Sequence, residues 1–345
     1  MTTKKNNYVI SIYDSNKNDA SSKAKSDIDL FLKKSNFNIL YKGFKLSPNF
    51  LGKTRKLKYK YIDIPKMFKH TNMDNIIIHY PIYSSFLYTA LIKNIRKYTV
   101  AKIYLIIHDI ESLRMFSTNN NYIKEEIRLL NEVDGLISHN TKMHTWLTEQ
   151  GITVPIVDLQ IFDYINPQSI HTKFDNTMSI GFAGNLMKAD FLQKISFPID
   201  IYGPNPKNEY PPCVNYLGQY SPDELPKYLN TNFGLVWDGT SIDKCDGIFG
   251  EYMKYNNPHK VSLYLSSGLP VIIWKESALA DFIISNNLGI AVDSLESIED
   301  ITSSLSVSDY QQMKNNVLKI ASDLRAGKYT LSAIEKLLTI SPQSN

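Results

Sequence analysis

Runs of consecutive aliphatic residues, Ile76-Ile-Ile78 and Ile103-Tyr-Leu-Ile-Ile107 among them, recur along this chain between longer stretches of helical periodicity. A strand with one wet face alternates apolar and polar residues; a strand apolar at every position has to be covered on both faces. Such strands separated by helices make a parallel sheet with helices on either side, so the fold class is α/β. In the first half strands are expected at Tyr8–Tyr13, Phe37–Tyr41, Asn75–His79, Lys102–Ile107, Asp134–Ser138 and Val154–Leu159, with helices at Lys23–Lys34, Tyr83–Tyr98, Tyr122–Glu132 and Thr141–Gln150. The polar stretch Asp163–Asn176, which contains Pro167, reads as a linker. The alternation then restarts, with strands at Met178–Phe182, Ile199–Tyr202, Val214–Leu217, Gly234–Trp237, Val271–Trp274 and Gly289–Val292. Helices fit Pro222–Leu229, Pro258–Ser266, Ser277–Ser285, Ile298–Leu305, Ser308–Arg325 and Leu331–Leu338.

The chain has 345 residues, more than one doubly wound sheet needs. The expectation is two Rossmann-like domains facing a cleft: residues 1–165, then 170–325, with a last helical stretch, about 326–345, packing back on the first. No apolar run approaches the ~20 residues that span a bilayer, and Met1–Asn7 is polar with no apolar run of a secretory signal, which points to the cytoplasm. Cys213 and Cys245 make neither a disulfide framework nor a metal cluster. The formal net charge of +4 suits an anionic ligand without requiring one.

Four features of the second half converge on such a ligand. In Ile180-Gly-Phe-Ala-Gly-Asn-Leu-Met-Lys188 a strand runs into a loop holding Gly184, Asn185 and Lys188. Glycine admits backbone N–H groups close to a phosphate and Lys188 adds a charge, although an ordinary strand–loop turn reads the same. After the strand Ile199–Tyr202 and its Gly-Pro end, Tyr216–Leu225 places Tyr220 just before an expected helix, with Ser221 as N-cap, Pro222 at its start and Glu224 completing a capping box. Tyr220 is a candidate to stack on a base, or a surface tyrosine packed on its loop. Trp237-Asp-Gly239 ends a third strand on the side where open α/β sheets bind ligands. Finally, in Tyr255-Asn-Asn-Pro-His-Lys260 a helix is expected to open at Pro258 under an Asn256 or Asn257 cap. Lys260 then sits in its first turn, unfavourably placed against the helix dipole unless an anion is near.

These residues resemble two related families, the bacterial glucosyltransferases that extend the first sugar on serine-rich adhesins and the β-1,6-galactofuranosyltransferase-like enzymes. The similarity rests on Asn-Asn-Pro-His-Lys260 with the following Leu-Tyr-Leu-x-x-Gly-Leu-Pro-Val-Ile272, and on Lys-Ala-Lys-Ser-Asp27, His-Asp-Ile-Glu-Ser-Leu-Arg114 and Leu159–Tyr164. It runs from about Tyr8 to Leu338. The resemblance implies a GT-B glycosyltransferase whose second domain binds UDP through Lys188, Tyr220, Asn256 and Lys260. Its implied partners are a UDP-sugar donor and a GlcNAc-modified serine-rich protein, in a homo-oligomer, with a tetramer suspected. One departure is the loop Asn18–Lys23, which lacks the glycine that members often carry.

The chemistry expected is transfer without a metal or other cofactor. There is no Asp-x-Asp motif and no His/Cys ligand cluster, while Lys188, Lys260 and a helix start can stabilise departing UDP. Retaining enzymes of this fold carry two glutamates where this chain has Asn256 and Tyr264, so an inverting displacement with a general base is expected. His108 and Asp109, at the end of strand Lys102–Ile107, are the candidate catalytic bases, unless Asp109 only caps a helix beginning near Glu111. His79-Tyr80-Pro81 reads as lining of an acceptor pocket. The basic run Lys53–Lys60 reads as solvated surface, with no nucleic-acid fold around it. Three other functions fit the same pattern: galactofuranosyl transfer to a polysaccharide, epimerisation of UDP-GlcNAc, and a non-catalytic sugar-binding subunit.

Overall fold

The computed structural model describes residues 5–13, 20–44, 50–172 and 178–340. Six strands form the first sheet: β1 (Asn7–Tyr13), β2 (Asn38–Gly43), β3 (Asn75–Tyr80), β4 (Lys102–Ile107), β5 (Gly135–Ser138) and β6 (Ile156–Asp158), in the order β2-β1-β3-β4-β5-β6. Six more form the second: β7 (Ile180–Ala183), β8 (Ile199–Tyr202), β9 (Val214–Tyr216), β10 (Phe233–Val236), β11 (Val271–Trp274) and β12 (Gly289–Val292), in the order β12-β11-β10-β7-β8-β9. Every pairing is parallel. Strands β3, β5, β7, β10 and β11 are buried at every position, as helices on both faces demand. Each expected strand is present, to within a few residues at its ends.

Strand order reverses between β1 and β3 in the first sheet and between β7 and β10 in the second, and ligands settle beyond the strand ends at such points. β7 and β10 pair only through Phe233–Ile180 and Gly234–Gly181. Beyond that register the buried Tyr264 holds them together: its hydroxyl accepts from Ala183 N at 2.6 Å and donates to Leu235 O at 3.3 Å. Its ring lies where Gly234 has no side chain; a Cβ there would stand 2.2 Å from the ring.

The helix Lys328–Thr339 returns to the first sheet, where Ala333, Ile334 and Leu337 share a core with Val9, Ile28, Leu32 and Ile77. Asp163 holds the start of that helix, accepting from Thr330 N at 2.6 Å and Tyr329 N at 3.3 Å. The seam between domains is polar. Asn257 Nδ2 donates to His139 O (2.7 Å) and Gln160 O (3.1 Å), its Oδ1 accepts from Asn140 (2.7 Å), and its backbone N–H meets His139 Nδ1 (3.0 Å).

Local expectations fail where tertiary demands or proline intervene. The helix expected over Pro222–Leu229 is only a 3-10 turn, Leu225–Tyr228. Pro226 lacks the N–H that Pro222 O would accept and its ring crowds that carbonyl, which instead accepts from Tyr164 OH at 2.9 Å. No capping box forms, and Ser221 Oγ donates to Glu224 at 2.7 Å. Asn256 and Asn257 do not cap the next helix, His259–Ser267; Pro258 is its N-cap residue and Asn257 is spent on the seam. The expected loop after Trp237 contains a helix, Gly247–Tyr252. The basic run lies on an unforeseen helix, Phe50–Lys58, and a π-helical turn, Tyr59–Asp63. Asn18 and Asp19 of the glycine-free loop lie outside the described residues, and from Ala20 the chain is helical. Among the described residues no helix is long and apolar enough to cross a membrane.

Candidate active site

Gly184 follows the last residue of β7, and Lys260 from the helix His259–Ser267 of the same domain lies over it, its Cε 2.8 Å from where a Gly184 Cβ would be. Gly203 ends β8 with φ of +141°, and a Cβ there would fall 1.8 Å from Gly184 O. Two glycines thus let two strand ends close on each other under the lysine. Lys260 Nζ is held by Asp238 Oδ1 at 2.5 Å and Trp237 O at 3.0 Å, and lies over the Phe182 ring. The anion expected beside this lysine is therefore a side chain of the protein itself, Asp238.

Asn185 accepts from Met187 N (3.1 Å) and Asn205 Nδ2 (2.9 Å), which starts the turn Leu186–Lys188 and aims Lys188. Lys188 Nζ stands 3.8 Å over the Phe249 ring. Burial holds its pKa below the ordinary lysine value; Asp238 and Asp109 oppose that shift, and Lys260 and Arg114 add to it. These partners bring both domains to one locus, Asp109 and Arg114 from the first and Asp238 and Lys260 from the second.

Tyr220 does not stand open as a base platform on both faces. Tyr228 is stacked on one, with centroids 3.8 Å apart, and the Tyr220 hydroxyl donates to Leu217 O. It remains beside the glycine turn, within 4.0 Å of a Cβ built on Gly218, whose carbonyl accepts from Gly203 N. Asn256 follows helix Gly247–Tyr252 on the seam, its side-chain oxygen buried.

Across the cleft, Asp109 does not cap the helix Glu111–Arg114. It accepts from Arg114 Nη1 at 3.1 Å and from the Tyr252 hydroxyl, which itself accepts from Ile110 N at 3.1 Å. The capping falls to buried Glu126, which accepts from Glu111 N and Ser112 N. Burial raises the pKa of Asp109, with Arg114 working against it. With its carboxylate engaged in both directions, Asp109 ties Arg114 to the second domain. His108 is also buried; its Nε2 meets His79 Nδ1 at 2.8 Å, and its ring stacks on Phe162 at 5.7 Å. His259 stacks on Phe162 at 4.6 Å and His139 meets it edge-on.

Nearly all buried polar groups in folded proteins find partners. Here five buried atoms of the cleft have none: His108 Nδ1, Arg114 Nε, Asn256 Oδ1, and Nδ1 and Nε2 of His259. Arg114, Asp238, Phe249, His139 and His259 were not singled out from the sequence. Arg114, Asp238 and His259 sit inside motifs that were, and the signal for Phe249 and His139 lies in distant chain pairs. Among the described residues no group of three His, Cys, Asp or Glu side chains is arranged to hold a metal.

Comparison with known proteins bears on the family and the fold. Residues 6–161 match the N-terminal domain model of glucosyltransferase 3-like proteins and residues 180–337 the C-terminal domain model. The β-1,6-galactofuranosyltransferase WbbI of Escherichia coli is 34% identical over 77% of this chain and 80% of its own length. Glucosyltransferase 3 of Streptococcus gordonii is 31% identical over 67% and 69%. Among solved structures, sucrose-phosphate synthase of Thermosynechococcus elongatus superposes with a TM-score of 0.64 at 10% identity, covering 97% of this chain and 98% of that one. The trehalose-6-phosphate synthase OtsA does so with 0.61 at 11%, covering 98% and 100%; at such identity the likeness concerns the fold alone. With two parallel six-stranded domains facing a cleft, and relatives that match across both, the chain belongs to the glucosyltransferase 3-like family and is a glycosyltransferase of the GT-B fold.

Proposed function

We propose that this glycosyltransferase takes its sugar from a UDP-sugar, works by inversion and needs no metal ion. The observation that carries this reading is the meeting of Lys188, Lys260 and the Gly184–Gly203 turn at the second sheet's switch point. Departing UDP gains negative charge, and cations fixed in advance where that charge grows lower the barrier by several kcal/mol. UDP phosphate would displace Asp238 as the partner of Lys260, with Lys188 closing from the turn, Asn256 reaching the donor, and Tyr220 beside the base through its open face. Inversion is supported by Asn256 and Tyr264, since Tyr264 is committed to bracing β7 and β10 and neither is a carboxylate. The general base is then His108, because Asp109 is engaged by Arg114 and Tyr252.

For the sugars, we propose transfer of glucose or GlcNAc to GlcNAc already O-linked on a serine-rich adhesin, a reading supported by the relative named glucosyltransferase 3. A second reading, galactofuranosyl transfer to a cell-surface polysaccharide, is favoured by the higher identity to WbbI, 34% against 31%. A panel of UDP-sugars offered in EDTA with a GlcNAc-O-peptide separates them. Glucose or GlcNAc transfer that survives EDTA is the expected result. Transfer of galactofuranose alone selects the second reading, loss of all turnover in EDTA overturns the metal-free mechanism, and turnover of no donor overturns the catalytic assignment of this cleft.

A further inference from the structure

Asp29, His79 and His108 come from three separate elements, the helix Ala20–Lys34, strand β3 and the end of β4. They form one buried line: Asp29 Oδ1 to His79 Nε2 is 3.0 Å, and His79 Nδ1 to His108 Nε2 is 2.8 Å. Asp29 is 1% exposed, His79 3% and His108 7%. A buried side-chain line of this kind is unnecessary for the fold, since apolar residues of similar size would pack more cheaply.

A carboxylate only accepts, so a neutral His79 carries its hydrogen on Nε2 and presents a lone pair at Nδ1. His108 must then donate from Nε2 into that lone pair, which leaves His108 Nδ1 deprotonated. That atom is buried and has no partner. His108 is therefore held in the tautomer of a base, with its basic nitrogen uncommitted. His139, edge-on to Phe162, cannot serve in this way: its Nε2 is bonded to Ile107 O and its Nδ1 accepts from Asn257 N.

We infer that Asp29 and His79 are positioning residues of the transferase, setting His108 as the general base and offsetting the charge of the proton it takes. The inference rests on the reading of His108 as that base. In the step, the acceptor oxygen bonds to the anomeric carbon while the bond from that carbon to the UDP oxygen breaks, and UDP leaves with the electron pair. The acceptor hydroxyl proton passes to His108 Nδ1, and the positive charge this creates is offset by the Asp29 carboxylate through His79, which keeps its hydrogen on Nε2. This matters because burial, His79, Lys25, His259 and His139 all disfavour a positive His108.

The test uses the full chain with its donor and acceptor, measuring kcat, KM, UDP affinity and the imidazole nitrogen NMR shifts. In the native protein near neutral pH, His108 is expected as the Nε2–H tautomer; finding it as Nδ1–H overturns the positioning role without any variant having to fold. Asp29→Asn replaces the ionised acceptor of His79 by a neutral amide and so removes the charge that offsets a protonated His108. We expect kcat to fall by roughly 10²–10⁴-fold, the scale of general acid–base catalysis, with UDP affinity and KM for donor unchanged. His79→Gln should lose a similar factor. Melting temperature monitors folding in each case. If His108→Gln keeps its transfer rate, the base assignment itself is wrong. If His108→Gln is inactive while Asp29→Asn and His79→Gln turn over at the native rate, His108 is the base and the positioning role is wrong.

Discussion

At the C-terminal edge of the second sheet the chain presents glycine and lysine: Gly184 and Gly203 touching, Lys260 laid over them, Lys188 on the next turn. At the same edge of the first sheet it presents imidazoles and carboxylates from separate elements, Asp29, His79, His108 and Asp109. The two sheets share a parallel architecture and face one cleft, yet their edges do different work. The second edge removes side chains and leaves backbone and two fixed charges, which on the proposed reading meet a phosphate. The first edge adds titratable side chains and binds them to each other, which suits moving a proton. One architecture is thus used twice because a transfer between two substrates divides into a departing anion and an arriving hydroxyl.

The most severe challenge to this division is to remove the charge that the second edge was built around. Lys260→Ala should lower kcat for transfer by roughly 10²–10³-fold, the usual loss when a single preorganised donor to developing charge is deleted. UDP binding by calorimetry should weaken in parallel, and Lys260→Arg should recover part of both. A Lys260→Ala enzyme within threefold of native would mean that the second edge is a scaffold and the charge is met elsewhere.

The glycine turn supplies the next test, through stability. Gly203→Ala places a methyl 1.8 Å from Gly184 O at a φ of +141°, so the strand end must move. A loss on the order of 3 kcal/mol is expected, visible in chemical denaturation, with UDP binding impaired as Gly184 shifts. Gly151 at φ of +102°, with nothing within 4 Å of a built Cβ, is the control. Its alanine variant should cost less, and an equal loss at both sites would show that overlap at the crevice is unimportant.

Sequence made the second edge far easier to read than the first. Gly184, Asn185 and Lys188 are neighbours in the chain, and the strand, glycine and helix signals around Lys260 are local, so propensity and spacing suffice to suggest them. The strands were legible for the same reason, since a segment buried on both faces declares itself alone. What stayed hidden are contacts between distant segments. Asp29, His79 and His108 are separated by 50 and 29 residues, and no periodicity marks their alignment. Asp238 was noted only as the end of a strand, because nothing local tells that it neutralises Lys260. Asn257 looked like a helix cap when its side chain is needed 117 residues away on Asn140. Locally plausible roles were overridden wherever the domains meet.

The seam between the two edges can be weakened without touching either. Asn257→Ala deletes the amide that bonds His139 O, Gln160 O and Asn140. Leaving those buried groups unpaired should cost about 1–3 kcal/mol. Catalysis should suffer through KM for both substrates together, since the cleft is set by the relative placement of the domains, and thermal melting with limited proteolysis between the domains would report it. Loss confined to the donor KM would assign Asn257 to the second edge instead of the seam.

The smallest effect expected is on pH dependence, at the point where the chain leaves the first domain. Burial raises the pKa of Asp163 to about 7 from 3.8, against the hydrogen bonds it accepts from Thr330 and Tyr329. Asp27, buried beside Lys23, is raised in the same direction to about 6. For an acid whose folded pKa lies above its unfolded value, the native state binds more protons between the two values, so stability falls as pH rises through that window. The contribution is present below about pH 4, declines toward about pH 7 and is constant above it. Asp163→Asn keeps an oxygen for the helix start but cannot ionise. Its melting temperature should therefore drop less between pH 5 and pH 8 than that of the native chain, with any remaining decline assigned to Asp27 by the corresponding asparagine variant. Parallel decline in all three proteins would show that Asp163 is ionised throughout, held by the N–H groups of the helix that returns from the second domain to the first. The seam would then be fixed by a charge, like the second edge, rather than by neutral pairing.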